Sequence, residues 1–315
     1  MSPLFLKEEA VAGLVSVAET IDVLEAAFAE QTTGRATTLP RRRLATDRLF
    51  LHMLAGAVPG YFGYKTYATG KGKPRFYFYL YESETADMVA IMQADALGQI
   101  RTGAATGLAT RLLARKDVKV ATLFGAGWQA ESQLVAMDAV REMEKVWIVN
   151  RTPEKAAAFI EKMSPLVRAR LEAAPSPEAA VRESQVVTTI TGSRQPVLLG
   201  KWLEPGTHVN AAGGNMILRR EVDSETIFRS DRLVVDSIEQ ARVEGGELIP
   251  TLGHGRRHWD ELVELKDVVN GYGGRKSDDD ITFFKSQGIG MEDVALGALI
   301  YERAREKGLG QQLDI

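Results

Sequence analysis

The chain of 315 residues contains no cysteine and only four histidines. The absence of cysteine excludes a disulfide framework, thiolate metal ligands and a cysteine nucleophile. The histidines, His52, His208, His254 and His258, form no pair with a metal-binding spacing such as HExxH, so no metal site is expected. A chain without disulfides suits a reducing compartment, and we expect a cytoplasmic protein.

The sequence also lacks an excess of positive charge and a long hydrophobic run. Its net charge is −3 at pH 7, with 39 Lys and Arg against 42 Asp and Glu. Nucleic-acid binding needs a basic face, so no nucleic-acid partner is expected. No window approaches the roughly 18 uninterrupted apolar residues of a membrane helix, and the acidic N-terminus lacks the apolar core of a signal peptide. The composition is typical of soluble globular proteins without a membrane partner.

The first third of the chain mixes helical and strand patterns. Residues 8–34 have helical apolar spacing and end at Gly34, which predicts one helix. Three runs rich in aromatic residues follow, and their alternation predicts antiparallel strands: RLFLHML, YFGYKTYAT and RFYFYLYESET. The segment DALG, residues 95–98, is typical of a hairpin turn, so the next helix is expected to begin near Arg101.

Strands and helices alternate from about residue 116. Compact apolar runs such as VKVATLF, KVWIVN, SQVVTTIT and RLVVDS are separated by stretches with helical spacing. This alternation predicts an α/β domain in which a doubly wound parallel sheet of the Rossmann type has helices on both faces. The last stretch, GMEDVALGALIYERAREKGLG, predicts one amphipathic helix.

The segment KVATLFGAGWQAES, residues 119–132, has the features of a dinucleotide-binding turn. A strand precedes it, a helix follows, and a second strand lies at the distance of a βαβ unit. Gly125 allows the tight turn, Gly127 allows the backbone to approach a pyrophosphate, and Ala130 is an accepted third small residue. The N–H groups that begin the helix would bind the phosphates. The alternative is a structural turn that binds nothing.

Asn150, Arg151 and Thr152 follow the second strand of this unit and bear on the choice of dinucleotide. NAD enzymes usually place Asp or Glu there to bind the ribose 2′-hydroxyl. Asn150 puts no negative charge against a 2′-phosphate, and Arg151 can pair with one. NADP(H) is therefore favoured, with NAD(H) as the alternative. Arg151 could instead be a solvated residue where a helix begins.

Together these segments resemble the ornithine cyclodeaminase/mu-crystallin family. The resemblance extends over nearly the whole chain and rests on GYKTYATG (63–70), IRTGAATGLATRLLA (100–114), FGAGWQAESQ (124–133), PGTHVNAAGGN (205–215) and DITFFKSQGIGMEDVALG (280–297). It implies a nicotinamide-binding Rossmann domain, residues 116–290, inserted into an α+β domain. That outer domain, residues 1–115 completed by the helix 291–315, would bind substrate and form a homodimer. The resemblance further implies chemistry on the imine of an α-keto acid.

The resemblance also implies roles for individual residues. Lys65 would be the active-site lysine and Arg101 the substrate-carboxylate arginine, a role that suits a guanidinium. In LPRRRLAT, Arg41 is the expected second arginine, while Arg42 and Arg43 stay open. From spacing alone, Lys65 could equally be a surface lysine. Arg101 could be an exposed charge where a helix begins, but a cation is slightly unfavourable there, which favours a functional reason. The residues expected at the cofactor are Thr102, Gly125, Ala126, Gly127, Trp128, Gln129, Asn150, Arg151, Thr152, Thr191 and Gly288.

Asn215 departs from the cyclodeaminase pattern. Cyclodeaminases read G-G-D at this point, where the aspartate is taken as the base, whereas this chain reads G-G-N. Asparagine cannot accept a proton at neutral pH, so cyclodeamination is disfavoured, although Asn215 could orient a water or an imine. Another carboxylate in the family segments, Asp293, is interpreted as an ordinary helix-start residue.

We therefore predict an NAD(P)H-dependent reductase of a small α-imino acid, linear or cyclic. Reduction of a preformed imine needs a bound carboxylate, a hydride from nicotinamide C4 and a proton donor. Arg41, Lys65, Arg101 and Asn215 are the expected catalytic-site residues. The alternatives are an ornithine cyclodeaminase, an amino-acid dehydrogenase of the alanine type and a non-catalytic cofactor-binding protein. The sequence leaves the side chain of the substrate open.

Overall fold

The computed structural model describes residues 2–253 and 256–314, and His254 therefore lies outside the described residues. Within them, the helices are α1 (Glu8–Leu14), α2 (Val17–Thr32), α3 (Asp95–Leu113), α4 (Trp128–Val140), α5 (Pro153–Met163), α6 (Pro177–Glu183), α7 (Ser224–Arg229), α8 (Ile238–Glu244), α9 (Leu265–Val269) and α10 (Gly290–Glu306). None of these described helices is long and apolar enough to cross a membrane.

The strands begin close to the N-terminus and continue to the end of the chain. They are β1 (Leu4–Leu6), β2 (Thr37–Ala45), β3 (Phe50–Val58), β4 (Tyr61–Thr69), β5 (Phe76–Glu82), β6 (Met88–Gln93), β7 (Val120–Phe124), β8 (Lys145–Val149), β9 (Arg170–Ala173), β10 (Val186–Thr189), β11 (His208–Ala211), β12 (Arg232–Val235), β13 (Leu262–Glu264), β14 (Thr282–Lys285) and β15 (Gln311–Gln312).

The chain forms two compact units, and it passes from the first to the second within α3. The first unit contains Met1–Arg101 and Gly288–Ile315, and the second contains Thr102–Gln287. The domain boundary expected at residue 115 lies 14 residues beyond the observed division after Arg101. The observed division falls inside α3, which continues to Leu113. Thr102, expected at the cofactor, therefore belongs to the same unit as the glycine turn, whereas Arg101 belongs to the other.

The first unit contains a mixed sheet in the order β15-β1-β6-β5-β4-β3-β2. The strands β2 to β6 pair antiparallel with their sequence neighbours, as the alternating aromatic runs predict. Alternation along β3, β4 and β5 directs Leu54, Lys65 and Phe78 inward, where all three are fully or almost fully buried. The helix α10 packs on β3 and β4 and adds Val294 and Leu296 to the core.

The prediction of a single helix over residues 8–34 is wrong. The chain becomes extended at Val15 and Ser16, and two helices, α1 and α2, result. Ser16 begins the second helix as its N-cap, because its hydroxyl oxygen accepts a hydrogen bond from the Glu19 N–H at 3.2 Å.

The prediction of a hairpin turn at residues 95–98 is also wrong, because this segment is the first turn of α3. The Glu8 carboxylate accepts hydrogen bonds from the N–H groups of Asp95, at 3.2 Å, and Ala96. A residue 87 positions away thus satisfies N–H groups at the start of this helix. Such a cap leaves no local sequence pattern.

The second unit contains a wholly parallel sheet in the order β13-β12-β14-β11-β10-β7-β8-β9. Counted from β7 in chain order and read from β9, the strand order is 3-2-1-4-5-8-6-7, which contains the 3-2-1-4-5 part of the doubly wound order. Val186 and Val187, neighbours on β10, enter two different apolar clusters, so both faces of the sheet are covered. The predicted Rossmann-type fold is confirmed. Ligands bind such sheets at the carboxyl ends of the strands, where the strand order reverses.

Candidate functional site

A cavity of about 1060 Å³ opens at the carboxyl ends of β7, β8 and β10 in the second unit. Seven of the residues expected at the cofactor line it: Gly125, Ala126, Gly127, Asn150, Arg151, Thr152 and Thr191. Within the described part of the chain, Trp128 and Gln129 lie beside this wall as the first residues of α4 but do not form part of it. The cavity is large enough for a cofactor and lies at the reversal point of the strand order.

Gly125 and Gly127 shape the turn at the mouth of this cavity. Gly125 has φ +117°, and a Cβ there would lie 2.6 Å from the Ile190 carbonyl oxygen. A Cβ on Gly127 would meet no described atom within 4 Å, so this α-carbon faces open space. Gly127 is the N-cap of α4, and no side chain among the described residues caps that helix. Because Gly127 lines the cavity, α4 begins at the cavity wall, and a helix N-terminus at this place fits a pyrophosphate.

Three cationic side chains, Arg151, Lys155 and Lys162, lie on the wall of the cavity beyond β8. Lys162 is neutralised by Glu131, with Nζ 2.6 Å from Oε1. Arg151 and Lys155 make no ion pair with any described residue, and they stand four positions apart where α5 begins. Two cationic side chains without an ion-pair partner on the wall of this cavity are suited to binding a phosphate group. Lys155 is not among the residues expected at the cofactor, although its i, i+4 spacing from Arg151 is visible in the sequence.

Thr191 and the loop after β11 are joined by a buried carboxylate. The Glu221 oxygens accept hydrogen bonds from the N–H groups of Thr191, at 2.5 Å, and Gly213, at 2.6 Å. Glu221 is fully buried, and burial raises its pKa against the opposing effect of Lys285. This carboxylate thus links the chain after β10 to the chain after β11, at the edge of the sheet where the cavity lies.

A buried ion pair supports the same loop. Lys285, fully buried, donates a hydrogen bond to the Gly214 carbonyl at 2.7 Å and lies 3.2 Å from a carboxylate oxygen of Glu247, also fully buried. Asn215 follows Gly214 directly and is half-buried. The sequence analysis did not identify these charges. Their signal is an isolated charged residue inside an apolar run, as in TFFKS.

The three cations predicted at the substrate, Arg41, Lys65 and Arg101, are all buried in the first unit, with exposed fractions of 4%, 2% and 8%. Lys65 Nζ lies 2.5 Å from Asp293 Oδ1, and Arg101 Nε lies 3.0 Å from the same oxygen. Arg101 Nη1 also lies 3.2 Å from Glu292 Oε2. Three cations and two carboxylates leave a net charge of +1 when all are ionised, so the cluster can accept one anionic group.

Gly288 lies against the arginines of this cluster in the first unit. Its carbonyl oxygen accepts a hydrogen bond from Arg41 Nη2 at 3.0 Å. Its φ is +74°, and a Cβ there would lie 2.3 Å from Arg101 Nη1. A side chain would therefore displace the guanidinium, which explains why glycine is required here.

The pKa of Lys65 is lowered to about 8, mainly by burial and then by the charge of Arg101, while Asp293 opposes both effects. A buried lysine with a pKa near physiological pH exists in both protonation states under working conditions. Such a group can donate a proton and recover it. The interpretation of Asp293 as an ordinary helix-start carboxylate is therefore incomplete, because its side chain is fully buried between Lys65 and Arg101.

Comparison with known proteins places these sites in a family. The model of the ornithine cyclodeaminase/mu-crystallin family matches residues 1–308. Alanine dehydrogenase of Archaeoglobus fulgidus is 31% identical over 322 aligned residues, 99% of this chain and 98% of that protein. Delta(1)-pyrroline-2-carboxylate reductase of Bacillus cereus is 35% identical over 237 residues, 75% and 73% of the two chains. Mouse ketimine reductase mu-crystallin is 31% identical over 223 residues, 71% and 67% of the chains.

Solved structures agree with this assignment. Delta(1)-pyrroline-2-carboxylate reductase of Thermococcus litoralis, solved with NADH and L-proline, has a TM-score of 0.93 at 32% identity and covers 98% of this chain and 100% of its own. An archaeal alanine dehydrogenase dimer with bound NAD has a TM-score of 0.94 at 31% identity and covers both chains completely. The chain therefore belongs to the ornithine cyclodeaminase/mu-crystallin family.

Proposed function

We propose that this protein reduces the C=N bond of a small α-imino acid with a nicotinamide dinucleotide. The observation that carries the proposal is the buried cluster of Arg41, Lys65 and Arg101, whose net charge of +1 matches one substrate carboxylate. The pyrroline-carboxylate and ketimine reductases among the relatives support this class of reaction. The dinucleotide cavity of the second unit supports the cofactor class.

In the proposed reaction, Arg41 and Arg101 bind the substrate carboxylate through their guanidinium groups and fix the plane of the imine. The reduced nicotinamide, when bound, supplies a hydride from C4 to the imine carbon. The Lys65 ammonium donates the proton that the imine nitrogen gains and becomes a neutral amine. The C=N double bond is thereby converted into an amine with one new C–H and one new N–H bond. No carboxylate at position 215 is needed, because the substrate arrives as an imine and no amine has to be deprotonated.

We further propose that the preferred cofactor is NADP(H). The two solved neighbours hold NADH or NAD, so this preference rests on two residues of the present chain. Arg151 and Lys155 both lie on the cavity wall without an ion pair among the described residues, and they stand where Rossmann proteins bind the adenine ribose. Together they can neutralise the two negative charges of a 2′-phosphate.

We also propose that the protein acts as a homodimer in the cytoplasm. The outer face of the first unit's sheet carries a row of aromatic residues, the exposed Phe62 and Tyr64 and the half-buried Tyr79 and Tyr81, whose rings stack in pairs. Exposed apolar surface of this kind is typical of protein interfaces. The archaeal alanine dehydrogenase is a dimer, which supports the same assembly. The cytoplasmic location rests on the absence of cysteine.

The reaction is tested by oxidation of NADPH and NADH with a panel of linear and cyclic ketimines, Δ1-pyrroline-2-carboxylate among them. We expect turnover with at least one imine and faster turnover with NADPH. Failure with every imine and both cofactors would overturn the proposal. Ornithine belongs in the same panel, and robust release of ammonia and proline from it would contradict the argument from Asn215.

A second candidate is an amino-acid dehydrogenase of the alanine type, since the Archaeoglobus fulgidus relative aligns with 99% of this chain. Such an enzyme forms its imine from pyruvate and ammonia and then reduces it, so the same cations would bind the carboxylate. Oxidation of NADPH or NADH with pyruvate, dependent on ammonia and faster than with any preformed imine, would favour this candidate.

A further inference from the structure

Asp293 occupies a position in the buried cluster that no other described carboxylate shares. Its Oδ1 accepts hydrogen bonds from both Lys65 Nζ, at 2.5 Å, and Arg101 Nε, at 3.0 Å. We infer that Asp293 is a positioning residue that holds Lys65 in its ammonium form and sets the pH at which Lys65 gives up its proton. This inference rests on the proposed function.

The position of Asp293 is not explained by helix capping. Asp293 is the fourth residue of α10, and the N–H that precedes the helix, that of Ile289, donates to Glu292 Oε2 at 3.4 Å. Glu292 thus serves the start of the helix and also contacts Arg101. The hydrogen bonds of Asp293 go to Lys65 and Arg101 through one oxygen. Its second oxygen, Oδ2, is buried and has no hydrogen-bond partner among the described residues.

A buried carboxylate oxygen without a donor is costly, because its solvation by water is lost and not replaced. Proteins retain such an unfavourable group mainly where it contributes to function. A buried carboxylate in contact with an ionisable side chain is therefore a candidate for a functional residue. The buried Oδ2 without a donor, together with the contact of Oδ1 to Lys65 Nζ, favours a role directed at Lys65 over a purely structural one.

The charges around Lys65 explain what Asp293 does. Arg41 faces it from β2, Arg101 faces it from α3, and Tyr67 lies two residues further along the same face of β4. From α10 come two carboxylates, of which Asp293 contacts Lys65 and Glu292 contacts Arg101. Burial and the two arginines all favour the neutral amine. Asp293 is the opposing charge within hydrogen-bond distance, and without it Lys65 would lose its proton at a lower pH.

The test follows the Lys65 side chain directly, by NMR titration of full-length protein carrying isotopically labelled lysine, with Lys65→Met to assign the signal. In the unaltered protein, we expect a pKa of about 8. In Asp293→Asn, the pKa should fall by roughly 1–3 units, the effect of removing an opposite charge at contact distance. Glu292→Gln is the matched control, since it removes a carboxylate one residue away that contacts Arg101, and the pKa of Lys65 should move much less.

The pH profile of kcat provides a second test of the role of Asp293. The alkaline limb of the pH profile of kcat for imine reduction should move to lower pH in Asp293→Asn by the shift seen in the titration. Activity at low pH should be largely retained, and Asp293→Glu should restore the profile. A merely structural role would lower kcat at every pH without moving the limb, and that result would overturn the inference, as would an unchanged pKa of Lys65.

The two proposals fail separately. If the unaltered protein reduces no imine but Asp293→Asn still shifts the Lys65 titration, the proposed function is wrong and the electrostatic role of Asp293 stands. If imines are reduced and neither the titration nor the limb moves, the inference about Asp293 is wrong. Should Asp293→Asn not fold, Asp293→Ser removes the same charge with a smaller side chain and carries the same expectations.

Discussion

The three consecutive arginines 41–43, which the sequence does not distinguish, differ in how deeply they are buried. Arg41 is buried and donates to the Gly288 carbonyl, whereas Arg42 is exposed. Arg43 donates from Nε to His52 Nδ1 at 3.1 Å, which places it with that histidine. Arg41 lies where the pairing of β2 with β3 is irregular, and at this irregularity its side chain is buried. Its burial is the reason why we propose Arg41, of the three arginines, as the one that binds the substrate carboxylate.

Replacing Arg41 by Met should lower kcat/KM for the imino acid by about 10- to 150-fold, the loss of one charge-assisted hydrogen-bond partner of about 1.5–3 kcal/mol. The KM for NADPH should stay nearly constant, because the dinucleotide cavity is in the second unit. Steady-state kinetics with a varied imine test this. Arg42→Met, on the neighbouring exposed residue, is the control and should behave like the unaltered protein. Equal losses in both variants would argue against the assignment.

Replacing Arg151 by Ala should raise the KM for NADPH by about 10- to 150-fold and change that for NADH less than about threefold, since only NADPH carries the 2′-phosphate. The measurement is the ratio of kcat/KM for the two cofactors. Lys162→Ala is the control, because Lys162 lies on the same wall but is paired with Glu131. A similar loss for both cofactors in Arg151→Ala would refute the proposed role.

The sequence could identify Lys65 and Arg101 as candidates but could not identify Asp293. Lys65 and Asp293 stand 228 positions apart, and Arg101 and Asp293 stand 192 apart. Their contact depends on how α10 packs on β3 and β4, which no local spacing records. A carboxylate near the start of a helix is also common for reasons of helix electrostatics alone. Only its burial between two cations shows that Asp293 does something else.

At the scale of elements, the periodicity of apolar residues predicts where strands and helices lie. A helix start that is capped by a residue distant in sequence cannot be predicted from periodicity. The aromatic alternation predicts β3, β4 and β5, and the βα alternation predicts the parallel sheet. The start of α3 is not predictable in this way, because its first N–H groups are satisfied by the distant Glu8. The loop after β11 is a similar case, since it depends on Glu221 and Lys285.

Replacing Glu221 by Ala should leave the half-buried N–H groups of Thr191 and Gly213 without these partners. We expect the free energy of unfolding to fall by about 2 kcal/mol, the lower end of the range of roughly 1–3 kcal/mol for each group, because both groups are only half-buried. Because Thr191 lines the cavity, NADPH binding should weaken as well. Urea denaturation and a fluorescence titration with NADPH measure the two effects. Glu225→Ala, at an exposed glutamate in α7, is the control. Unaltered stability in Glu221→Ala would show that these hydrogen bonds do not hold the loop.

At the scale of the whole molecule, the two sets of residues proposed for substrate and cofactor lie in different units. The first unit contains the buried cations proposed to bind the substrate, and the second contains the cavity proposed to bind the dinucleotide. The chain passes between the units at two places, Arg101 to Thr102 and Gln287 to Gly288. The first passage lies inside the continuous helix α3, and a domain boundary within a helix leaves no break in the sequence pattern that could predict it.

Homodimer formation should be visible as a particle of about 69 kDa, twice the chain mass of 34.5 kDa, in light scattering after size exclusion. Phe62→Lys should shift the protein toward the monomer, because the charge falls on the exposed aromatic face, where Phe62 is 37% exposed. Tyr272→Lys, at a residue of the second unit that is more exposed, is the control and should stay dimeric. A dimer that tolerates Phe62→Lys would exclude this face as the interface.

The central claim, that this protein transfers a hydride to the carbon of an α-imino acid, is tested most directly by an isotope experiment. NADPH deuterated at C4, in separate preparations of its two stereoisomers, is incubated with Δ1-pyrroline-2-carboxylate and the protein, and the amino-acid product is analysed by mass spectrometry and NMR. We expect one deuterium at the α-carbon of the product from one of the two stereoisomers. Product without deuterium from either stereoisomer, or no reduced product from Δ1-pyrroline-2-carboxylate or any other imine of the panel although the cofactor is bound, would contradict the claim.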